Sequence, residues 1–446
     1  MASGKTTFCR VLSGDTRTFK GHCRVKFLQD QFDLQKRRQI VKLVSFTDTG
    51  KLFNSVNAVH YYQQRYNTFD SDGHLTVRQY LLDGGLDLSL PSHQELLSLF
   101  SLTSLLDTER IKLSSGQTRK LILCKVFLQP PRILILDNLH IGLDNTSRTK
   151  INAFVDKLSV QPDMTIILAG HFRSIPRCIT HELRLENGKV TYAGSLKVSD
   201  KTENLRLDVD QREALNRLKE LRPMGQVHHF SEVIRFQDVA IKYPSKTVME
   251  HINWTVKAGE KWVLFGQNGS GKSTLLSLMY GDHPQAYGHP VYLFEKKRGT
   301  GESIWDIKKK IGFTSPELHA YFSENLTARE VVLTGLWDAF IVKKADPKAE
   351  KRLEHFFTYF ELSEISEKPY AWLSTGQQRL LFLIRAFIKQ VPVYLLDEPY
   401  QGLDEQSRLR ASHLLEVLIG EDDTLIFISH FEDEIPGSVD HRLELN

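Results

Sequence analysis

The sequence is poor in cysteine and contains no long apolar run. Its four cysteines among 446 residues have no metal-ligand spacing, which argues against a disulfide framework and favours reduced thiols in the cytoplasm. No segment approaches the roughly 18 consecutive apolar residues that a membrane-spanning helix needs. The net charge of +4 is too small a basic excess to indicate nucleic acid or anionic lipid as a partner.

A glycine-rich segment, Gly266–Thr274, is the most informative feature that is present. It follows the apolar run Trp262–Phe265, which predicts a buried strand. Glycine lets the backbone approach an anion closely, and the helix expected after the segment points its positive end at the same place. The segment has the complete Walker A pattern, which predicts a site for a nucleoside triphosphate.

Individual residues of this segment have expected roles. Lys272 would reach the β- and γ-phosphates, and the Ser273 hydroxyl would ligate Mg²⁺. A plain glycine-rich turn, the alternative, does not explain why Gly-Lys-Ser-Thr leads directly into two leucines. The predicted nucleotide contacts are Gly266, Asn268, Gly269, Ser270, Gly271, Lys272, Ser273 and Thr274.

An internal repeat organises the chain. Leu113–Lys120 resembles Leu373–Leu380, and Ile133–Asp137 resembles Val393–Asp397 at the same offset along the sequence. Further matching pairs are Gly142–Asp144 with Gly402–Asp404, His171 with His430, and Gly4–Thr7 with Gly271–Thr274. Because chance does not place several motif pairs at nearly one offset, the repeat indicates two copies of one domain.

The repeat predicts two domains, 1–195 and 231–446, joined by a linker at 196–230. The linker carries apolar residues at helical spacing before a Pro-Met-Gly breaker, so a short helix is expected in it. Short apolar runs that end in Asp predict buried parallel strands, and their alternation with helical stretches predicts an α/β fold. The regions 91–112 and 345–372 are expected to be mainly helical.

The order of motifs resembles the ATPase domains of ABC proteins, in two copies over nearly the whole chain. It runs Walker A, Leu-Ser-x-Gly-Gln (the signature loop), a strand ending in Asp-Glu (Walker B), Gly-Leu-Asp and Ser-His. The tandem arrangement and the ending Ser429–Pro436 resemble the ModF-type subfamily of molybdate-transport-associated or photorepair ATPases. The resemblance implies two P-loop NTPase domains, each with a RecA-like parallel sheet and a helical subdomain, that bind ATP and Mg²⁺ and hydrolyse ATP.

The resemblance also implies that the two halves pair head to tail, with ATP between the Walker motifs of one half and the signature loop of the other. One site would use Gly266–Thr274, Asp397, Glu398 and His430 with Ser114, Gly116 and Gln117. The other would use Gly4, Lys5, Thr6, Thr7, Asp137 and His171 with Ser374, Gly376 and Gln377.

Roles in the first of these sites follow from the same resemblance. Asp397 would hold Mg²⁺, Glu398 would act as general base, and His430 would contact the γ-phosphate. Tyr243 would stack on adenine, although a core or surface tyrosine is an equal alternative. For each signature loop the alternative is a serine that merely caps a helix.

The sequence departs from the family pattern in ways that make the two sites unequal. Asn138 stands where the second half has Glu398, and an amide cannot accept a proton from water. The first half lacks the start of Walker A and the strand before it, so we expect a truncated first domain, from an upstream coding start or a fragment. Neither half has the glutamine that the family places between Walker A and the signature loop, although Glu317 lies near the equivalent position.

These features predict a cytoplasmic ATPase, peripheral to the inner face of the cell membrane if a separate permease is its partner. The leading interpretation is an ATPase that energises or regulates transport, of molybdate in the ModF-type subfamily. The missing glutamine casts doubt on ordinary coupling to a permease. The alternative is a soluble ATPase acting on ribosomes or DNA. For it the basic run Lys343–Lys348 is either a contact or simply a solvated face, and the linker lacks the long, strongly charged helical pair that would favour ribosome work. A non-enzymatic, ATP-gated interaction protein is a third reading, against which Glu398 counts.

Overall fold

The computed structural model divides the chain into two compact units, residues 1–201 and 202–446. It describes residues 4–16, 20, 23, 37, 40–45, 75–83, 86–113, 115–140, 145–170, 174–186, 188–196, 205, 207–222, 230–243, 246–266, 269–320, 322, 325–339 and 343–445.

The described part of the first unit is an α/β layer with a β-hairpin. Its helices are α1 (Lys5–Ser13), α2 (Val77–Leu82), α3 (Pro91–Leu99), α4 (Ser115–Leu128) and α5 (Asn145–Leu158). Its strands are β1 (Val41–Val44), β2 (Ile133–Asp137), β3 (Thr165–Ala169), β4 (His181–Glu186) and β5 (Lys189–Ser195). Strands β1, β2 and β3 form a parallel sheet in that order, and β4 pairs with β5 in antiparallel fashion.

The second unit contains two sheets. Its helices are α6 (Val209–Glu220), α7 (Lys272–Met279), α8 (Ile304–Lys308), α9 (Ala328–Leu333), α10 (Pro347–Tyr359), α11 (Thr375–Phe387) and α12 (Glu405–Leu418). Its strands are β6 (Glu232–Tyr243), β7 (Lys246–Lys257), β8 (Lys261–Gly266), β9 (Val291–Leu293), β10 (Lys296–Lys297), β11 (Ile311–Thr314), β12 (Val393–Asp397), β13 (Thr424–Ile428) and β14 (His441–Leu445).

The parallel sheet of the second unit has the order β11-β12-β13-β8-β14, and the antiparallel sheet has the order β10-β9-β6-β7. Every residue of β12 and β13 is buried. Their uninterrupted apolar sequences suit strands that are covered on both faces. The sheet places the carboxyl ends of β8, β12 and β13 at one edge, where the Walker motifs lie.

Strand β3 occupies the place in the first unit that β13 occupies in the second. β13 is paired on both sides, with β12 and β8, whereas β3 is paired only with β2 in the described residues. Consistent with this, Thr165 is exposed and Ile167 is half-buried, while Ile426 is fully buried. Among the described residues, β3 is therefore less buried than β13.

The regions expected to be mainly helical consist of one helix followed by short 3₁₀ turns. In the second unit α10 is followed by turns at Ser363–Ile365 and Tyr370–Trp372, and α3 of the first unit is followed by turns at Thr103–Leu105 and Arg110–Lys112. Helix α6, from the region between the repeats, belongs to the second unit. It begins at a capping box made by Asp208 and Gln211, and the Gln211 amide donates to Glu361 at 2.9 Å.

Candidate nucleotide site

The Walker A segment of the second unit joins β8 to α7 by a tight loop. Gly271 is the N-cap of α7 with φ +97°, a conformation that side chains with a Cβ rarely adopt. A Cβ on Gly271 would lie 2.9 Å from the Met249 methyl carbon, and one on Gly266 would lie 2.8 Å from the Leu445 carbonyl oxygen. Only glycine fits these positions, so the loop backbone stays open for a close ligand.

Two polar groups lie within this loop. The Lys272 ammonium is largely buried and donates to the Gly266 carbonyl oxygen at 2.6 Å, so it lies across the loop. The Ser270 hydroxyl oxygen is buried and has no hydrogen-bond partner among the described residues. A buried hydroxyl without a partner is costly unless a ligand completes it. The loop, the ammonium and the start of α7 therefore fit a phosphate chain.

Asp397 ends β12 at the same edge of the sheet, and its side chain is buried. Burial raises its pKa well above the usual value, and the neighbouring charge of Glu398 raises it further, while Lys272 acts in the opposite direction. The negative charge of Glu317 raises this pKa as well. These oxygen donors fit a hard cation such as Mg²⁺, with the Ser273 hydroxyl, which is exposed, as the further candidate ligand.

Glu398 and His430 are brought together by the pairing of β12 with β13. The Glu398 backbone N–H donates to the Ile428 carbonyl oxygen at 2.9 Å, with Glu398 in the left-handed region at φ +44°. The Nε2 atom of His430 lies 2.9 Å from one carboxylate oxygen of Glu398. The other carboxylate oxygen accepts a hydrogen bond from the Gln401 side-chain amide. One carboxylate oxygen of the predicted base is therefore held by a hydrogen bond, and the other lies beside the His430 ring.

The signature serine of the second unit caps a helix. The Ser374 hydroxyl accepts from the Gln377 backbone N–H at 3.3 Å, and the Gln377 side chain accepts from the Ser374 N–H at 3.0 Å. Ser374 therefore forms the N-cap expected from the sequence, and its contact with phosphate stays a prediction. A hydroxyl that accepts one hydrogen bond can still donate its own proton, so capping and phosphate contact are compatible.

The Walker residues of the first unit meet in a similar arrangement. Gly4 is the N-cap of α1 with φ +85°, and the Thr6 hydroxyl donates to an Asp137 carboxylate oxygen at 2.8 Å. Asn138 adopts φ +57° and donates its backbone N–H to Ala169 at 2.7 Å. Its side-chain amide donates to the other Asp137 oxygen at 3.2 Å. The amide thus has the backbone position of Glu398 but offers no base.

Comparison with known proteins identifies this architecture. The family model described as ABC transporter matches residues 2–140 and 249–401. The chain belongs to the ABC transporter family. An uncharacterized ABC transporter ATP-binding protein of Schizosaccharomyces pombe is 32% identical over 100% of this chain and 90% of its own length.

Two further proteins match over nearly the whole chain. The ABC transporter ATP-binding protein ModF of Escherichia coli is 32% identical over 99% of this chain and 89% of its own length. The solved structure of an RNase-L inhibitor has a TM-score of 0.50 at 16% identity and covers 99% of this chain and 81% of that one. The latter similarity concerns the fold alone. The predicted tandem of ABC ATPase domains, similar to ModF, is confirmed.

Among the described residues no helix is both long and apolar enough to cross a membrane.

Several predicted site residues of this ABC protein lie outside the described residues or only partly within them. The structure describes backbone but no side chain for Tyr243, and Gly116 lies within α4. Lys5 and Gln117 are half-buried and Thr7 is exposed. Predicted residues outside the described part are Ser114, His171 and Asn268.

Sequence reasoning missed two residues of the site. Gln401 contacts Glu398, and Arg379 donates to the Gln401 side-chain oxygen at 3.2 Å. Arg379 lies two residues after the signature motif, within the repeated segment Leu373–Leu380, and Gln401 lies between Walker B and Gly-Leu-Asp. Comparison of the two repeats contains the signal, because the first half has Ile141 in place of Gln401.

Proposed function

We propose that the chain binds MgATP at the Walker motifs of the second unit and hydrolyses it, while the first unit turns over little or no ATP. The observation that carries this proposal is the contact of Glu398 with His430 beside a buried Asp397, where the first unit has Asn138. The chain's membership of the ABC transporter family also supports the proposal.

The proposed reaction is attack of water on the γ-phosphorus of ATP. Glu398 accepts the proton of that water, the bond from phosphorus to the bridging oxygen breaks, and ADP and inorganic phosphate leave. Lys272 would neutralise charge that builds up on the phosphate oxygens. Bound Mg²⁺, held by Asp397 and Ser273, would supply further neutralisation of the phosphate charge. His430 lies beside Glu398 and would reach the γ-phosphate.

The residues that complete each site from the other half remain a prediction of the resemblance. In the same way, we propose Tyr243 as the adenine contact and Glu317 as a group near the metal. The domain limits 1–195 and 231–446 are proposed from the repeat.

A matched pair of variants tests which unit hydrolyses ATP. Glu398→Gln should lower kcat about 10²- to 10⁴-fold, because the amide cannot accept the proton, while ATP is still retained. Asn138→Ala should leave kcat close to that of the wild type. Phosphate release measures turnover, and filter binding measures nucleotide retention. A similar loss in both variants would contradict the proposed asymmetry.

We further propose that hydrolysis energises or regulates transport through a separate permease, with the protein at the inner face of the cell membrane. The support is the similarity to ModF, which is named an ABC transporter ATP-binding protein. Molybdate as the transported ion rests on the resemblance to the ModF-type subfamily alone.

A soluble ATPase acting on ribosomes or DNA is the second candidate. Its support is the absence, in both halves, of the glutamine that the family places between Walker A and the signature loop. Capture experiments with Glu398→Gln and MgATP separate the two candidates. Co-purification with one membrane protein supports transport, and co-purification with ribosomes or DNA that Lys343→Glu/Lys344→Glu abolishes supports the second candidate.

A further inference from the structure

Gln401 bridges two groups of the second unit that belong to different motifs. Its side-chain oxygen accepts from the Arg379 guanidinium at 3.2 Å, and its side-chain nitrogen donates to Glu398. Its backbone N–H also donates to the Glu398 carbonyl oxygen at 3.1 Å, which closes a short turn after Walker B. The signature helix α11, which carries Arg379, is thereby linked to the predicted base.

The orientation of the Gln401 amide is determined by its neighbours. Arg379 is buried and has only donors, so it must face the amide oxygen. The amide nitrogen therefore faces the carboxylate, which accepts hydrogen bonds. The other oxygen of Glu398 lies 2.9 Å from the Nε2 atom of His430.

The first unit lacks this bridge at the level of sequence. Ile141 replaces Gln401, and Asn138 replaces Glu398. Arg119, the counterpart of Arg379, instead donates to the backbone carbonyl oxygens of Asp137 at 3.1 Å and Asn138 at 3.2 Å. The amide donor is thus present where the general base is present, and both are replaced together.

We propose that Gln401 is a positioning residue for Glu398. With its oxygen held by Arg379, it fixes the carboxylate rotamer and so the direction from which Glu398 meets the attacking water. This inference depends on the proposed hydrolysis at the second unit. Misplacement of a reacting group by about 1 Å can cost about 10²-fold in rate, so a fixed rotamer has a large effect.

Two substitutions separate positioning from mere structural support. Gln401→Glu keeps an acceptor for Arg379 but removes the donor to Glu398, and Gln401→Met removes both at similar length. We expect each to lower kcat about 10- to 10²-fold with KM for ATP changed less than about twofold. Gln237→Glu, at an exposed position of β6, is the matched control and should behave like the wild type.

A double-mutant cycle completes the test. In a Glu398→Gln background, Gln401→Met should lower the residual rate no further, because a residue that acts through Glu398 has nothing left to position. The inference is overturned if both single variants retain wild-type kcat, or if the losses multiply in the double variant. A wild-type protein that binds MgATP without hydrolysing it would refute the proposed function instead.

Discussion

Residues with positive φ at the Walker motifs show how backbone conformation and site chemistry are connected. Glu398 and Asn138 both adopt the left-handed conformation, at φ +44° and +57°. This conformation is unfavourable for glutamate and better tolerated by asparagine. Retention of a strained glutamate at this position in the second unit is consistent with a requirement for its carboxylate, whereas the first unit has a residue that suits the backbone.

Gly271→Ala tests the backbone requirement of the Walker A loop. The Cβ would strain a residue at φ +97° and would lie 2.9 Å from the Met249 methyl carbon. We expect the free energy of unfolding to fall by about 1–2 kcal/mol. We also expect MgATP no longer to raise the free energy of unfolding. Urea unfolding with and without MgATP measures both quantities.

Gly288→Ala is the control for this substitution. A Cβ there meets no atom within 4 Å, and its φ is not in the left-handed region. Its stability should stay within about 0.5 kcal/mol of the wild type. Equal effects at Gly271 and Gly288 would show that the loop does not depend on glycine.

At the scale of elements, strands that correspond in the repeat differ in how well they are covered. β13 is buried along its whole length between β12 and β8, whereas β3 begins at an exposed residue and is half-buried over most of its length. The local sequences are both apolar, Thr-Leu-Ile-Phe-Ile and Thr-Ile-Ile-Leu-Ala. The difference in burial therefore comes from neighbouring strands rather than from the strand itself.

The same substitution in both strands measures this difference. Ile426→Ala removes a fully buried side chain and should cost about 2–5 kcal/mol. Ile167→Ala removes a half-buried side chain and should cost less, because part of its surface already faces water. Urea unfolding followed by circular dichroism compares the two variants. A larger loss for Ile167→Ala would contradict the burial described for β3.

At the scale of the whole molecule, all tryptophans lie in one unit. They are Trp254, Trp262, Trp305, Trp337 and Trp372. Intrinsic tryptophan fluorescence therefore reports the unfolding of the second unit, which also carries the complete Walker A loop. Fluorescence measurements can therefore separate the effect of a ligand on the second unit from the unfolding of the rest of the chain.

MgATP should stabilise the unit that tryptophan fluorescence reports. At about 100 times Kd, binding to the native state raises the free energy of unfolding by about 2.7 kcal/mol. Lys272→Ala should abolish this shift, because it removes the ammonium that lies across the loop. Lys219→Ala, at an exposed position of α6, should retain it. A wild-type fluorescence transition that ignores MgATP would contradict nucleotide binding by the second unit.

The sequence by itself determined the family, the repeat and the positions of the Walker A and Walker B motifs, Gly266–Thr274 and Asp397. These motifs are contiguous, and each follows or ends an apolar strand. It also determined the Glu398-to-Asn138 difference, since the repeats align without a structure. Only the tertiary structure decided that Arg379, Gln401, Glu398 and His430 form one chain of contacts. Such contacts depend on the pairing of β12 with β13 and the packing of α11, which join residues that are distant in sequence.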